Sequence, residues 1–303
     1  MTDLGAKIAS VIATRNSRDR PRGTMDINEP KIGREEILIL VDDDFNSRNV
    51  CIVTGAGTGI GRATAVAAAA NNLMTVGLDI NREQGKKTQQ MAREMGGQMV
   101  FIETDLAKDE DIERAVQEAA ELGSIKYVAN IAGIQHIDPV ESFPMEKYDL
   151  MQRIMLRAPF YLSRLTIPHI KKSSNGTGAI GNMASVHAHI CTKNKPVYNI
   201  TKFGLRALSQ SISAEGEGKI RSFSVSTGFV RTPLALKQIP AQAEQRAITP
   251  EEVVRDVMMG KSQVKEMMSP VETANLFMFG FSRHARYLVG GDLLFDGGMV
   301  LTY

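Results

Sequence analysis

The sequence has only two cysteines and no long apolar run in its 303 residues. Cys51 and Cys191 cannot form a disulfide framework, so a reducing compartment is the simpler expectation. No stretch approaches the roughly 18 uninterrupted apolar residues of a membrane span. These absences exclude a disulfide scaffold and a membrane channel, and they favour a cytoplasmic protein with no membrane partner.

The chain also lacks an excess of charge of either sign. Its 36 Lys and Arg residues against 34 Asp and Glu residues leave a net charge of +2, so no strong field attracts nucleic acid. Hydrophobic residues make up 43% and charged residues 23%, which is typical of a globular protein rather than a disordered one. A chain of this length forms one large domain or two small ones.

The N-terminal region differs in composition from the rest. Apolar residues at helical spacing, from Leu4 to Ile12, precede four arginines between Arg15 and Arg22. This weakly resembles an organellar transit peptide, but interspersed acidic residues such as Asp3 and Asp19 argue against one. We predict an N-terminal extension over residues 1–45, either flexible or docked, and a single domain over residues 46–303.

From about Asn49 onward, short apolar runs alternate with amphipathic helical patterns. Such alternation predicts a doubly wound, Rossmann-type α/β fold with a parallel sheet. The predicted strands number seven: Val50–Thr54, Met74–Asp79, Gln98–Glu103, Ile125–Asn130, Ala179–Met183, Ile220–Ser226 and Tyr287–Phe295. The predicted helices include Arg62–Asn71, Arg82–Met95, Asp109–Glu121 and Glu146–Ile170.

A long insertion with helical pieces follows the sixth predicted strand. Because it comes after the carboxyl end of a strand, we predict that residues 228–269 form a helical substrate lid. A surface hairpin or an oligomer contact is an equally weighted alternative.

A glycine-rich segment from Thr54 to Gly61 joins the first predicted strand to the following helix. Glycines there allow a tight turn and let backbone amides approach a pyrophosphate at the helix N-terminus. Asp79 ends the next predicted strand, 18 residues after Gly61, where a carboxylate can accept both hydroxyls of an adenosine ribose. The segment contains no basic residue, which favours NAD over NADP.

Tyr198 and Lys202 form a Tyr-x-x-x-Lys pattern that places both side chains on one helix face. A nearby ammonium stabilises a phenolate, so it would bring the tyrosine closer to the range useful for acid/base work. Ser185 lies 13 residues before Tyr198, just after a strand, and can donate a hydrogen bond to a reacting oxygen.

The spacing Gly55-x3-Gly59-x-Gly61, with Ser185 and Tyr-x-x-x-Lys, resembles the short-chain dehydrogenase/reductase family over about residues 49–300. The resemblance implies that Ser185, Tyr198 and Lys202 are catalytic. The cofactor-binding positions it implies are Gly55, Thr58, Gly59, Ile60, Asp79, Asp105, Leu106, Asn130, Tyr198, Lys202, Val230 and Thr232.

Three residues depart from the family pattern. Ile131 replaces the second Asn of the Asn-Asn-Ala-Gly motif, and Thr227 replaces the Pro before the lid. Met155 stands where the resemblance implies a fourth catalytic residue, an Asn that holds a water linking the lysine to solvent. Methionine cannot make the side-chain hydrogen bonds of asparagine, so we expect slower turnover rather than none.

Several segments resemble the bacterial D-3-hydroxybutyrate dehydrogenases within this family. They are Ala132–His136, Ser185–His187, Asn194–Lys195, Phe229–Leu234 and Lys237–Ile239. This resemblance implies a substrate site that contains Gln135, Ser185, His187, Lys195 and Gln238. A lysine, a histidine and two amides can neutralise and orient a small carboxylate.

We therefore expect an NAD-dependent oxidoreductase that interconverts (R)-3-hydroxybutyrate and acetoacetate without a metal. The family implies a homotetramer. One alternative is a related dehydrogenase for another hydroxy acid, a sugar or a 3-oxoacyl thioester. The other is a catalytically weakened NAD-binding regulatory protein, which Met155 and the extension suggest.

Overall fold

The computed structural model describes residues 30–302, without the side chains of Ala241 and Gln245. Within this range, seven parallel strands form one sheet in the order β3-β2-β1-β4-β5-β6-β7. The strands are β1 (Asn49–Thr54), β2 (Met74–Asp79), β3 (Gln98–Glu103), β4 (Ser124–Asn130), β5 (Gly178–Met183), β6 (Ile220–Thr227) and β7 (Asp292–Phe295). This order, which starts at the centre and winds outward in both directions, confirms the predicted doubly wound fold.

Helices cover both faces of the sheet. In chain order they are α1 (Gly59–Ala70), α2 (Arg82–Glu94), α3 (Asp109–Glu121), α4 (Met145–Gln152), α5 (Ala158–Lys172), α6 (Pro196–Glu215), α7 (Pro233–Leu236), α8 (Gln238–Arg246), α9 (Pro250–Glu252) and α10 (Pro270–Phe281). Helices α1, α2 and α10 share one hydrophobic core with the sheet, and α3, α5 and α6 share the other. No helix of the described residues is long and apolar enough to cross a lipid bilayer.

The central strands are apolar on both sides because both faces are covered. In β1, Val50 and Ile52 belong to one core, whereas Cys51 and Val53 belong to the other. All four side chains are fully buried. Successive side chains of a strand point to opposite faces, so a continuous apolar run is what a doubly covered parallel sheet requires.

Two predicted elements differ most from the structure, and the others agree with it to within three residues at each end. The strand predicted over Tyr287–Phe295 covers only Asp292–Phe295, because Gly290 adopts a left-handed turn (φ 73°) that separates the preceding residues from the sheet. The helix predicted over Glu146–Ile170 runs from α4 through a π-helical turn, Arg153–Arg157, into α5. A π turn inserts one extra residue into a helix and re-aims the side chains that follow.

Residues 30–48 pack against the sheet domain. Ile37 and Phe45 are buried in the core that contains α1 and α10. Asn275 Nδ2 donates to the carbonyl of Glu36 at 2.8 Å, and the amide of Leu40 donates to the side chain of Asn71 at 2.9 Å. The predicted boundary between an extension and a domain stays a prediction, and residues 1–29 lie outside the described residues.

The insertion after β6 has a small core of its own. Helices α7 and α8 and the π-helical turn that follows α9, Val253–Met258, bury apolar side chains among themselves, including Ile239, Val253 and Met258. Its two ends meet where Val230 pairs with Met268 in a parallel β-bridge. The insertion is therefore a folded unit rooted beside the carboxyl end of β6.

Candidate active site

The carboxyl ends of the strands converge on a cavity of about 370 Å³. Every site residue predicted from the sequence lines it except Asn130: Gly55, Thr58, Gly59, Ile60, Asp79, Asp105, Leu106, Gln135, Ser185, His187, Lys195, Tyr198, Lys202, Val230, Thr232 and Gln238. Asn130 instead points into the sheet, where its Nδ2 donates to Asn182 Oδ1 at 2.9 Å. Residues from both halves of the domain, from Gly55 to Gln238, thus meet in one place.

The glycine loop between β1 and α1 has no room for side chains. A Cβ on Gly61 would lie 2.0 Å from the carbonyl oxygen of Gly55, and a Cβ on Gly57 would lie 2.8 Å from Asp79 Cγ. Gly55 also adopts a left-handed conformation (φ 68°) that favours glycine. Thr54 Oγ1 accepts from the amide of Ile131 at 2.9 Å, so it fixes the loop after β4 to the end of β1.

Asp79 is held at the end of β2 by two backbone amides. Its Oδ2 accepts from Gly57 at 2.8 Å, and its Oδ1 accepts from Asn81 at 2.8 Å. Arg62, the first basic residue after the glycine loop, is buried, and its side chain donates to Thr88 Oγ1 at 3.1 Å and Gln84 Oε1 at 2.6 Å. The side chain at this edge of the cavity is therefore a fixed carboxylate.

Ser185, Tyr198 and Lys202 meet on the opposite side of the cavity. Pro196 begins α6, which places Tyr198 in the first turn and Lys202 one turn later. Lys202 Nζ lies 5.3 Å from the centroid of the Tyr198 ring and donates to the carbonyl of Met183 at 2.6 Å. Ser185 lies just beyond the end of β5, where it acts as a hydrogen-bonding partner that lowers the pKa of the Tyr198 phenol.

Burial dominates the electrostatics of this group. It raises the pKa of the Tyr198 phenol, and the hydrogen bond with Ser185 offsets only part of that rise. Burial also lowers the pKa of Lys202 to about 8. The sequence-based expectation that the pKa of Tyr198 lies below its ordinary value is therefore wrong for this arrangement, because loss of solvation is the largest effect on the phenol.

His187 lies between Ser185 and the loop that precedes α6. Its Nδ1 is 3.2 Å from Ser185 Oγ, and its Nε2 is 2.9 Å from Thr192 Oγ1. Its ring packs edge-on against the Tyr198 ring, with 5.5 Å between centroids. Burial, and then the charges of Lys195 and Lys202, lower the pKa of His187 to about 3, so the imidazole is neutral at pH 7.

Lys195 and two glutamines form the polar end of the cavity. Gln238 Nε2 donates to Gln135 Oε1 at 3.0 Å, which ties α8 of the insertion to the loop after β4. Burial lowers the pKa of Lys195. Across residues 30–302, no hydrogen-bond acceptor or carboxylate pairs with the Lys195 ammonium.

Met155 is fully buried in the π-helical turn that links α4 to α5. It belongs to an apolar cluster with Met151 and Val197, against which Tyr198 packs. Its Sδ would lie 3.5 Å from a Cβ on Gly133. The position for which the family pattern implies an asparagine is therefore apolar and close-packed.

Sequence reasoning missed two polar residues of this region. Thr54 fixes the loop after β4 to the end of β1, and Thr192 Oγ1 is hydrogen-bonded to the ring of His187. Thr54 directly precedes the glycine motif, and Thr192 lies three residues before Lys195. Their positions next to a predicted motif or site residue were the only sequence signal for these two threonines. A single threonine in a loop is otherwise too common to indicate a function.

Comparison with known proteins gives matches that cover most of the chain. A family model described as "Enoyl-(Acyl carrier protein) reductase" matches residues 55–300. The chain is 31% identical over 251 residues to the D-beta-hydroxybutyrate dehydrogenase of Rhizobium meliloti, covering 82% of this chain and 96% of that protein. The protein of the same name from Cupriavidus necator is 29% identical over 251 residues, with the same coverage.

Among solved structures, the chain resembles a protein from Beutenbergia cavernae described as an NAD(P)-dependent gluconate 5-dehydrogenase with bound NADP. The TM-score is 0.75, and the match covers 85% of this chain and 99% of that one. At 23% sequence identity, this likeness supports the fold alone.

Proposed function

The chain belongs to the short-chain dehydrogenase/reductase family of nicotinamide-dependent oxidoreductases, and we propose that it interconverts (R)-3-hydroxybutyrate and acetoacetate with NAD. The observation that carries this proposal is the unpaired, partly buried ammonium of Lys195 in the same cavity as the Tyr198 phenol. Removing a cation from water is costly unless an anion pairs with it, so this site favours a carboxylate ligand. The relatives named D-beta-hydroxybutyrate dehydrogenase support this choice.

The opposite end of the cavity fits a dinucleotide. Backbone amides at the start of α1 suit a pyrophosphate, and the absence of room for side chains in the glycine loop permits its close approach. Asp79 suits the hydroxyls of an adenosine ribose and would repel a 2′-phosphate. The residues that would hold the cofactor are Gly55, Thr58, Gly59, Ile60, Asp79, Asp105, Leu106, Val230 and Thr232. When bound, the nicotinamide supplies hydride chemistry at C3 of the substrate.

The protein's own groups would bind the substrate and move its proton. Lys195 and the amides of Gln135 and Gln238 would hold the carboxylate, and this leaves C3 near Tyr198. Ser185 Oγ would orient the oxygen on C3. In the oxidative direction the Tyr198 phenolate takes the hydroxyl proton, and in the reductive direction the phenol donates it. The Lys202 ammonium favours the phenolate electrostatically.

The direct test is the appearance of NADH when purified protein is mixed with NAD⁺ and either enantiomer of 3-hydroxybutyrate. We expect NADH with the D enantiomer only, and loss of the signal in Tyr198→Phe. Tyr287→Phe is the matched control, because that ring is 85% exposed and does not line the cavity. A preference for the L enantiomer, a sugar or a thioester would overturn the substrate assignment. Binding of NADH without turnover of any alcohol would favour a binding protein.

A further inference from the structure

Four side chains form a continuous line from the cavity to the surface loop before α6. Ser185 acts on the Tyr198 phenol as a hydrogen-bonding partner that lowers its pKa, and Ser185 Oγ lies 3.2 Å from His187 Nδ1. His187 Nε2 lies 2.9 Å from Thr192 Oγ1. Ser185 and His187 are buried, whereas Thr192 is partly exposed and does not line the cavity. The line therefore begins at the proposed acid/base and ends near solvent.

We propose that this line carries the substrate's proton between Tyr198 and solvent, with His187 as the relay and Thr192 as its outer end. The proposal rests on the proposed function for the identity of the proton. It assigns to His187 a role different from the carboxylate contact expected from the sequence. Both of its ring nitrogens already face hydroxyl groups, so neither is left for a carboxylate.

The proton balance works with a neutral imidazole. When Tyr198 is protonated, its O–H donates to Ser185 Oγ, the serine O–H donates to His187 Nδ1, and His187 Nε2–H donates to Thr192 Oγ1. A shift of each proton along its own bond makes Tyr198 a phenolate and releases one proton from Thr192 to water. The reversed line then has Ser185 donating to the phenolate, which stabilises it. Each O–H or N–H bond that breaks is replaced by one on the next atom of the line, no atom changes its oxidation state, and the imidazole changes only its tautomer.

In the family pattern, a proton leaves past the lysine through a water held by the asparagine at position 155. In this chain Met155, Val197 and Met151 are buried in an apolar cluster against which Tyr198 packs. The Lys202 ammonium itself donates to the carbonyl of Met183. Methionine at position 155 offers no strong hydrogen-bonding atom to hold a water there. A chain with methionine at this position needs another exit for its proton, and the His187 line provides one.

The outer end of the line is held in place by the helix that carries the tyrosine. Asn199, the neighbour of Tyr198 on α6, donates from Nδ2 to the carbonyl of Thr192 at 3.3 Å. The amide of Asp138 donates to the carbonyl of Asn194 at 2.9 Å, which fixes the same loop to the segment after β4. Thr192 thus stays within reach of His187, as a relay requires.

The decisive variants are Thr192→Val, which keeps the shape of the side chain and removes its hydroxyl, and Thr192→Ser, which keeps the hydroxyl. We expect Thr192→Val to lower kcat for D-3-hydroxybutyrate about tenfold, with KM unchanged within about twofold and a larger solvent isotope effect. Thr192→Ser should recover most of kcat. An unchanged kcat in Thr192→Val, or a rise in KM that accounts for the loss, would overturn the relay.

A second measurement keeps the relay separate from the proposed function. In protein with isotope-labelled histidine, the NMR signals of the His187 ring are identified by their loss in His187→Gln. We expect a neutral ring at pH 7 whose Nε2 signal moves in Thr192→Val, while Nδ1 moves less. If the wild-type chain oxidises no alcohol, the proposed function fails. An Nε2 signal unaffected by Thr192→Val would show that His187 Nε2 is not hydrogen-bonded to Thr192. That result alone would overturn the relay.

Discussion

The amide nitrogen of Gly57 lies 2.8 Å from Asp79 Oδ2, so the glycine loop and the carboxylate at the end of β2 form one connected unit. A Cβ on Gly57 would come within 2.8 Å of Asp79 Cγ, which means that the loop can approach the carboxylate only without a side chain. The two features that predict a dinucleotide site from sequence therefore depend on each other in space.

Asp79→Ala should weaken the binding of NADH about tenfold. It should also reduce the difference in affinity between NADH and NADPH. The loss follows from removing the acceptor for the ribose hydroxyls, and the narrowing follows from removing repulsion of the 2′-phosphate. Fluorescence titration with each cofactor measures both. Gly57→Ala would displace Asp79 without removing its charge. It should therefore weaken NADH binding but keep the preference for NADH over NADPH. An unchanged preference in Asp79→Ala would rule out Asp79 as its cause.

Much of the site was predictable because its motifs are local constraints. The turn from β1 to α1 admits only glycine at Gly55 and Gly61, and one turn of α6 brings Tyr198 and Lys202 together whatever else the chain does. The bond between His187 and Thr192 was not predictable in this way. It depends on the path of a loop, and no residue pattern in that loop specifies its shape.

Lys195→Met should raise KM for 3-hydroxybutyrate about 10–100-fold, because a charge-assisted contact with the carboxylate is lost. The same variant should unfold at a higher temperature, since an ammonium whose pKa burial lowers is removed. Substrate affinity of the wild type should fall as pH rises through that lowered pKa. Lys193→Met, at an exposed neighbouring lysine, is the control. Equal effects of the two variants would argue against a specific role for Lys195.

Stability at acidic pH should report the burial of His187. Its folded pKa of about 3 lies below the ordinary value of 6.5, so the unfolded chain binds the proton first. The free energy of unfolding should therefore decrease as pH falls below 6.5, by up to ~1.4 kcal/mol per pH unit from this residue. Urea unfolding of His187→Gln should lack this component, whereas His169→Gln, at an exposed histidine, should retain it. If the free energy of unfolding depends on pH in the same way in the wild type and in His187→Gln, the lowered pKa of His187 is contradicted.

The segment before β1 supplies a counter-ion to the sheet. Asp44 Oδ2 lies 2.8 Å from Lys126 Nζ, and the Lys126 side chain is 1% exposed. Asp44→Ala should lower the free energy of unfolding by about 2 kcal/mol, because among the described residues it leaves the buried Lys126 charge with only Asn175 Oδ1 as an acceptor. Chemical denaturation measures this.

Adding Lys126→Met to Asp44→Ala should restore most of that loss, since the buried charge is then gone. Asp43→Ala, at a side chain 99% exposed, should leave stability unchanged. If Asp43→Ala and Asp44→Ala destabilise the protein equally, the negative charge of the turn stabilises the fold in general. The specific ion pair between Asp44 and Lys126 would then not be the cause.

Met155→Asn tests how the proton leaves Tyr198. Asparagine there can hold a water by its side-chain hydrogen bonds, as the family pattern implies, so turnover should rise, although a polar group in this apolar cluster should cost ~2 kcal/mol of stability. The sharper test combines it with Thr192→Val, because two routes for one proton are not independent. Met155→Asn should recover kcat in the Thr192→Val background more than it raises kcat in the wild type. Met155→Leu, which adds no polar atom, should recover nothing. If the effects of Met155→Asn and Thr192→Val simply multiply, the two positions do not serve the same proton.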